Sequence, residues 1–263
     1  MSGQLKGKSA VVTGSTSGIG KAIATAFASE GANIMLNGFG DAPQIEALRT
    51  GLARDHGVKV EYHGADMTKP AEIRDLIARA ESAFGAVDIL VNNAGIQHVS
   101  PIAEFPEDKW DAIIAVNLTS AFHSTKAALA GMKRRRSGRI INIASTHGLV
   151  ASPNKSAYIA AKHGIVGLTK ATAVEIAEEG IRANAICPGF VHTPLVQKQI
   201  EDRAREAGVS VEKATRDIIL APVPTKEFVT VEQIAAAALF LAGDGGAQMN
   251  GATFVLDGGW TAR

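Results

Sequence analysis

Short apolar runs rich in β-branched residues alternate with longer stretches of helical periodicity along almost the whole chain. Residues 9–13 read as a buried strand, followed by a glycine-rich turn and a helix from about residue 19 to 30. Residues 33–37 and 58–62 form a second and third strand, with a helical stretch ending at Gly57 between them. Pro70 opens a helix on which Ile73, Leu76, Ile77, Ala80 and Phe84 fall on one face. A fourth strand at 87–91, a fifth at 139–143, a sixth at 181–186 and a last at 253–256 continue the rhythm. The sixth follows a helix through Tyr158 and Lys162, and the last follows a helix over 231–241. Strands apolar throughout and separated by helices predict a parallel sheet covered on both faces. The expected fold is therefore α/β, one doubly wound domain over 1–263, with ligands bound beyond the carboxyl ends of its strands.

One segment breaks this alternation. From about 190 to 228 the pattern is helical but interrupted by Pro194, Pro222 and Pro224 and rich in charge. Such an excursion after the carboxyl end of a strand reads as a helical substrate lid, with mere decoration as the alternative.

Composition narrows the function. The chain has 263 residues, 46% hydrophobic and 20% charged, which is ordinary for a globular protein with a substantial core. A net charge of +1 offers no field for nucleic acid or an anionic membrane. The basic run Lys133-Arg134-Arg135-Arg136 reads as a solvated helix end, with a phosphate patch as the alternative. Cys187 is the only cysteine, which excludes an internal disulfide and reads as a small buried residue. The seven histidines lack metal-ligand spacing, and no metal is expected. No secretory leader pattern and no apolar stretch of about 18 residues is present, so a cytoplasmic location is expected.

The turn Thr13-Gly14-Ser15-Thr16-Ser17-Gly18-Ile19-Gly20 joins the first strand to the first helix. Glycines there let backbone N–H groups approach a pyrophosphate at a helix N-terminus. The spacing, together with Asn92-Asn93-Ala94-Gly95 after the fourth strand, Tyr158-Ile159-Ala160-Ala161-Lys162 and Pro188-Gly189 after the sixth, resembles the short-chain dehydrogenases/reductases. The resemblance covers 13–189 in the expected order. It implies a Rossmann-type fold and a nicotinamide cofactor. Contacts to that cofactor are expected from the turn, Phe39, Asn93, Ala94, Gly95, Tyr158, Lys162, Pro188, Gly189, Val191 and Thr193, with Asp66 at the adenine edge. Neither the turn nor Asn37-Gly38-Phe39-Gly40-Asp41 supplies a cation for a 2′-phosphate, which favours NAD. The acidic residue common after the second strand is replaced by Gly38, and Asp41 reads as a cap for the next helix.

Tyr158 and Lys162 lie one turn apart on a helix. A phenol with a pKa of about 10 is a poor base, and a neighbouring ammonium would lower that value. By resemblance, Tyr158 is the general base or acid, Ser145 steadies the substrate oxygen, and Asn117 supports a water linking Lys162 to solvent.

Further motifs narrow the substrate. Gly95-Ile96-Gln97-His98, His147-Gly148-Leu149-Val150-Ala151-Ser152, Asn154-Lys155-Ser156-Ala157-Tyr158, Leu195-Val196-Gln197-Lys198-Gln199-Ile200 and Asp257-Gly258-Gly259-Trp260 resemble a bacterial branch of that family. Its members oxidise D-3-hydroxybutyrate with NAD. The resemblance implies that Lys155, Gln97, His147 and Gln199 hold the substrate carboxylate and that the protein is a homotetramer. Phe190 stands where that branch has tryptophan, and His192 and Pro153 also differ, which opens the question of substrate breadth. Two rival readings remain: a family member acting on another hydroxy acid, sugar alcohol or 3-oxoacyl substrate, and an inactive dinucleotide sensor. The second would dispense with Tyr158 or Lys162, and both are present.

Overall fold

Seven parallel strands form one sheet in the order β3-β2-β1-β4-β5-β6-β7. A computed structural model of the chain describes residues 3–192 and 194–262. The strands are β1 Ser9–Val12, β2 Asn33–Asn37, β3 Val60–His63, β4 Ile89–Asn92, β5 Gly138–Ile143, β6 Ile181–Pro188 and β7 Thr253–Leu256. β3 and β4 each begin two residues later than the apolar runs suggest. Just before these starts side chains add to the backbone pairing, with Asn33 Oδ1 accepting from Lys59 N and Asp88 Oδ2 from Ser9 N.

Alternate residues of each strand feed two separate cores. Ala10, Val12, Ile34, Leu36, Val91 and Ile143 face α1 (Gly18–Ser29) and α9 (Val231–Ala242), meeting Ile23, Phe27, Ile234 and Leu241. Val11, Met35, Leu90 and Ile140 point the other way. They pack on Ile73, Leu76 and Ile77 of α3 (Pro70–Phe84) and on Ala128 and Met132 of α5 (Ser120–Arg135). Period-2 alternation in strands buried on both sides thus yields a three-layer sandwich. Each fully buried side chain of the size of Phe27 or Leu76 contributes about 1.5–3 kcal/mol.

The strand order reverses between β1 and β4, where neighbouring connections leave to opposite faces and open a crevice. A buried polar chain holds the strand ends at that crevice. Asn92 donates to Asn142 Oδ1 at 2.8 Å, Asn142 donates to Thr169 Oγ1 at 2.8 Å, and Ser124 donates to Asn92 Oδ1 at 2.6 Å. This chain links β4 and β5 to α5 and to α6 (Ser156–Glu175), with each amide satisfied.

Asp41 caps α2 (Ala42–His56) by accepting from Gln44 N, as its position suggests. α4 (Glu107–Ile114) runs into α5 through a π-helical turn, Ala115–Thr119, which carries Asn117. The basic run at the end of α5 ties locally, with Arg135 on the Val87 carbonyl and Arg136 on the Glu178 carbonyl.

The excursion after β6 is anchored at both ends by a parallel bridge between Val191 and Val229. It contains α7 (Pro194–Ala207), α8 (Val211–Ala214) and a further π-helical turn, Thr215–Ile219. Ile200, Ala204 and Ala214 give it a small core of its own. Among the described residues no helix is long and apolar enough to cross a membrane.

Candidate active site

The glycine turn is held by side chains from three strands. Thr13 Oγ1 accepts from Asn93 N and Ala94 N, both at 3.0 Å, and Asn93 Nδ2 donates to the Thr13 and Gly14 carbonyls. Asn37 Oδ1 accepts from Gly14 N, while its amide nitrogen donates to the His63 and Ala65 carbonyls. A Cβ on Gly20 would strike the Gly14 carbonyl and Asn93 Nδ2, so the helix can approach the turn only without one.

These residues fit a dinucleotide. Gly14 and Gly18 sit at φ +62° and +54°, and nothing lies within 4 Å of where a Gly18 Cβ would point. Ser17, the N-cap of α1, makes no side-chain cap, so the first N–H groups of the helix face outward for an anion. Phe39 is exposed beside the turn, 69% open. Asp66 Oδ1 accepts from Thr68 N and Oγ1, which orients its carboxylate at the end of β3. The missing acidic residue has a steric reason: Gly38 has φ +144°, and a Cβ there would come within 2.7 Å of Thr16 Oγ1. Thr16 donates to the Phe39 carbonyl and closes that space. Thr193 lies outside the described residues.

A cavity of about 250 Å³ opens next to this turn. Its walls include Ile19, Asn93 and Gly95 on the cofactor side and Ser145, Tyr158 and Lys162 on α6 and the end of β5. Gln97, His147, Lys155 and Gln199 complete it from four segments, and Pro188, Gly189 and Val191 close one edge. Residues spread from 19 to 199 in sequence therefore share one space.

Ser145 follows β5 in extended backbone and starts a short 3-10 turn, Thr146–Gly148, accepting from His147 N at 3.1 Å. That turn lies directly on α6, since a Cβ on Gly148 would be 2.7 Å from the Lys162 carbonyl. Lys162 is 4% exposed, donates to the Ile143 carbonyl at 2.7 Å, and has its ammonium 5.5 Å from the centre of the Tyr158 ring. Desolvation lowers the pKa of this ammonium to about 8, with a smaller opposing effect from Cys187. For Tyr158 burial works against the expected lowering. Desolvation raises the phenol above its ordinary value, and the Ser145 hydroxyl only partly offsets that. The Lys162 ammonium is engaged by the Ile143 carbonyl, and burial of the phenol is the larger effect.

Asn117 is buried outside the cavity. Its Oδ1 accepts from Ile96 N at 2.8 Å and its Nδ2 donates to the Ile96 carbonyl at 2.9 Å. The side chain thus fixes the loop that carries Gly95 and Gln97 into the cavity. Cys187 is fully buried at the end of β6, and desolvation pushes its thiol up to about 11.

The far wall is cationic and short of acceptors. Lys155 lies 5.7 Å over the Phe190 ring, and among the described residues no carboxylate pairs with it. No Asp or Glu lines the cavity. Gln97 Nε2 is buried with no hydrogen-bond partner among the described residues, so a donor awaits an acceptor there. Trp260, not singled out for the site by sequence, stacks on Phe190 at 5.1 Å and 7° and meets His147 edge-on at 5.2 Å. Asp257 accepts from Gly259 N and from Thr261 N and Oγ1, which fixes the tail carrying that ring. The Asp257-Gly258-Gly259-Trp260 motif was the signal, but only folding carries it across to β6.

His147 is 5% exposed and hydrogen-bonds Ser152 Oγ through Nε2 at 2.9 Å. Desolvation, then the charges of Lys155 and His163, depress its pKa to about 4, so the ring is neutral at pH 7. Because the unfolded chain binds this proton from about pH 6.5 downward and the folded protein does not, stability falls with pH over that window. The loss approaches about 3 kcal/mol near pH 4. Urea unfolding across pH 4–7.5 should show a shallower acid slope for His147→Asn than for the parent. Equal slopes would show that protonation of His147 is not what weakens the fold.

A model of the short chain dehydrogenase family matches residues 8–204. The chain is 59% identical to a D-beta-hydroxybutyrate dehydrogenase of Cupriavidus necator over 98% of its own length and all of the relative's. It is 56% identical to a D-beta-hydroxybutyrate dehydrogenase of Rhizobium meliloti over 97% of this chain and 99% of that one. An oxidoreductase of Bacillus subtilis is 42% identical over 97% and 98% of the two chains. A glycine turn on β1, an Asn-Asn-Ala-Gly bend on β4 and a Ser145–Tyr158–Lys162 cluster in one crevice agree with that match, and the chain belongs to the short chain dehydrogenase family.

Proposed function

We propose that this chain oxidises D-3-hydroxybutyrate to acetoacetate, reversibly and with NAD. The observation that carries the reading is the single cavity in which Lys155 and the unpaired Gln97 amide face the Ser145–Tyr158–Lys162 cluster. Its cationic, acid-free lining suits a small carboxylate. The names of the two most similar relatives reported above supply the choice among hydroxy acids and the D configuration.

Lys155, Gln97, His147 and Gln199 hold the carboxylate, His147 acting as a neutral donor. Ser145 donates to the substrate oxygen. Tyr158 takes the hydroxyl proton in oxidation and returns it in reduction, with Lys162 favouring the phenolate. NAD, held by the turn over 14–19, Phe39, Asp66, the Asn93–Gly95 bend, Pro188, Gly189 and Val191, supplies when bound the acceptor for the hydride leaving the carbinol carbon. The absence of a cation along 37–41 favours NAD over its 2′-phosphorylated form. Asn117 acts through the Ile96 loop.

The whole chain acts as one domain, and the excursion over 190–228 is a lid whose α7 brings Gln199 to the cavity. The protein is a cytoplasmic homotetramer. Exposed Phe240 on α9 and Val255 on the edge strand β7 support the assembly, offering apolar surface where a neighbour can pack.

The direct test is turnover of D-3-hydroxybutyrate with NAD, read as NADH absorbance beside the L-isomer and NADP. Turnover confined to the D-isomer and NAD is expected. Activity only on longer or branched hydroxy acids would move the substrate assignment, and no turnover of any hydroxy acid would sink the enzymatic reading.

A further inference from the structure

α7 lays one stripe of side chains along the cavity. Val196 and Gln199 line it directly. At 100° per residue Arg203 falls angularly between those two, about 6 Å beyond Gln199 along the helix axis. The adjacent stripe, Ile200 and Ala204, is buried in the excursion's own core, which sets the rotation of α7. Arg203 is therefore carried on the cavity side of the helix, at the mouth, with its side chain 51% exposed.

Lys155 senses this guanidinium. After desolvation, the charge of Arg203 is what holds the Lys155 ammonium below its ordinary pKa. The rotation of α7 thus brings a second positive charge to the side of the cavity that holds Lys155, and among the described residues no Asp or Glu lines that cavity. Glu206 pairs with Arg203 at 2.9 Å, but that pair lies at the surface, where such pairs contribute little. An anion entering between Lys155 and Arg203 relieves their repulsion and gains attraction to both. A neutral alcohol gains neither.

We propose that Arg203 is a specificity-determining residue of this site, a second cation at the mouth that selects anionic substrates and acts on their capture rather than on the chemical step. The inference rests on the hydroxy-acid reading above. It assigns to α7 a role beyond presenting Gln199. Because Arg203 is partly exposed, its influence is long-range and screened by salt, unlike the buried contact from Lys155.

The test uses the full-length protein, with D-3-hydroxybutyrate as substrate and NAD saturating. Arg203→Gln and Glu206→Gln break the same ion pair but change the charge of the mouth in opposite directions. For R203Q, KM is expected to rise about fivefold at low ionic strength, with kcat within about twofold, and the difference should shrink in high salt. For E206Q, KM is expected to stay at the parent value or fall. Equal increases in KM for both variants would show that only the α7 ion pair matters and would overturn the proposal. So would a parent-like KM for R203Q, or a loss confined to its kcat. Failure of the parent protein to turn over any hydroxy acid would instead remove the functional reading on which the proposal stands.

Discussion

Replacing Tyr158 with phenylalanine is expected to lower kcat by about 100- to 10,000-fold, a barrier increase of about 3–5 kcal/mol. The substitution removes one oxygen and leaves the ring. The ring is what packs, with the Lys162 ammonium 5.5 Å from its centre and the His147 ring edge-on at 6.0 Å. Fold, cofactor affinity and KM should therefore change little, because in the proposed reaction the phenol oxygen matters most when the proton moves. Steady-state kinetics with D-3-hydroxybutyrate, beside cofactor titration by fluorescence, separates the two. A variant retaining more than about one-tenth of parental kcat would mean that another group moves the proton.

Lys162→Met should give the second large effect, and its sign differs between activity and stability. Loss of the cation beneath the phenol is expected to lower kcat by on the order of 100-fold. The fold, however, carries this ammonium at a penalty. Its pKa falls to about 8 through desolvation, which corresponds to about 3 kcal/mol of destabilisation at pH 7. The Ile143 carbonyl loses its donor in the variant, costing about 1–3 kcal/mol, so the two effects nearly offset. The variant should be far slower yet about as stable as the parent at neutral pH.

The pH dependence follows from the same shift. Between about pH 8 and 10 the unfolded chain keeps the lysine proton and the folded parent releases it, so the parent gains stability as pH rises. The methionine variant lacks that gain. Tyr158, whose pKa is raised in the fold, works against stability only above pH 10. Urea unfolding of both proteins at pH 7 and pH 9.5 checks the argument. A variant several kcal/mol weaker at pH 7 would show that the hydrogen bond to Ile143 outweighs desolvation.

Much of the cofactor side was readable because it is local. The turn over 13–20 joins a strand to a helix within a few residues, and its glycines answer left-handed backbone and close approach that other residue types rarely tolerate. Tyr158 and Lys162 are likewise related by one helical turn. Strand starts were less legible: Val87 and Asp88 continue an apolar run, yet β4 begins at Ile89, with Asp88 joined to Ser9 through both its backbone and its side chain. The far wall of the cavity was legible mainly through resemblance, since Gln97, His147, Lys155 and Gln199 come from four separate segments. The resemblance included Trp260 but did not assign it to the site, because nothing local ties a ring near the C-terminus to Phe190 and His147.

By itself the sequence determined the alternation of buried strands and helices, hence the parallel sheet, and the presence of the dinucleotide turn and the Tyr158–Lys162 pair. These follow from periodicity and from steric limits acting over a few residues. Tertiary structure alone decided the ionisation of the site. Burial, not the nearby ammonium, sets the resting state of Tyr158, and burial keeps His147 neutral. It also decided that Asn117 spends both ends of its amide on Ile96. Each depends on distance, dielectric and which partners pack around a group, quantities created only when distant segments close on one another.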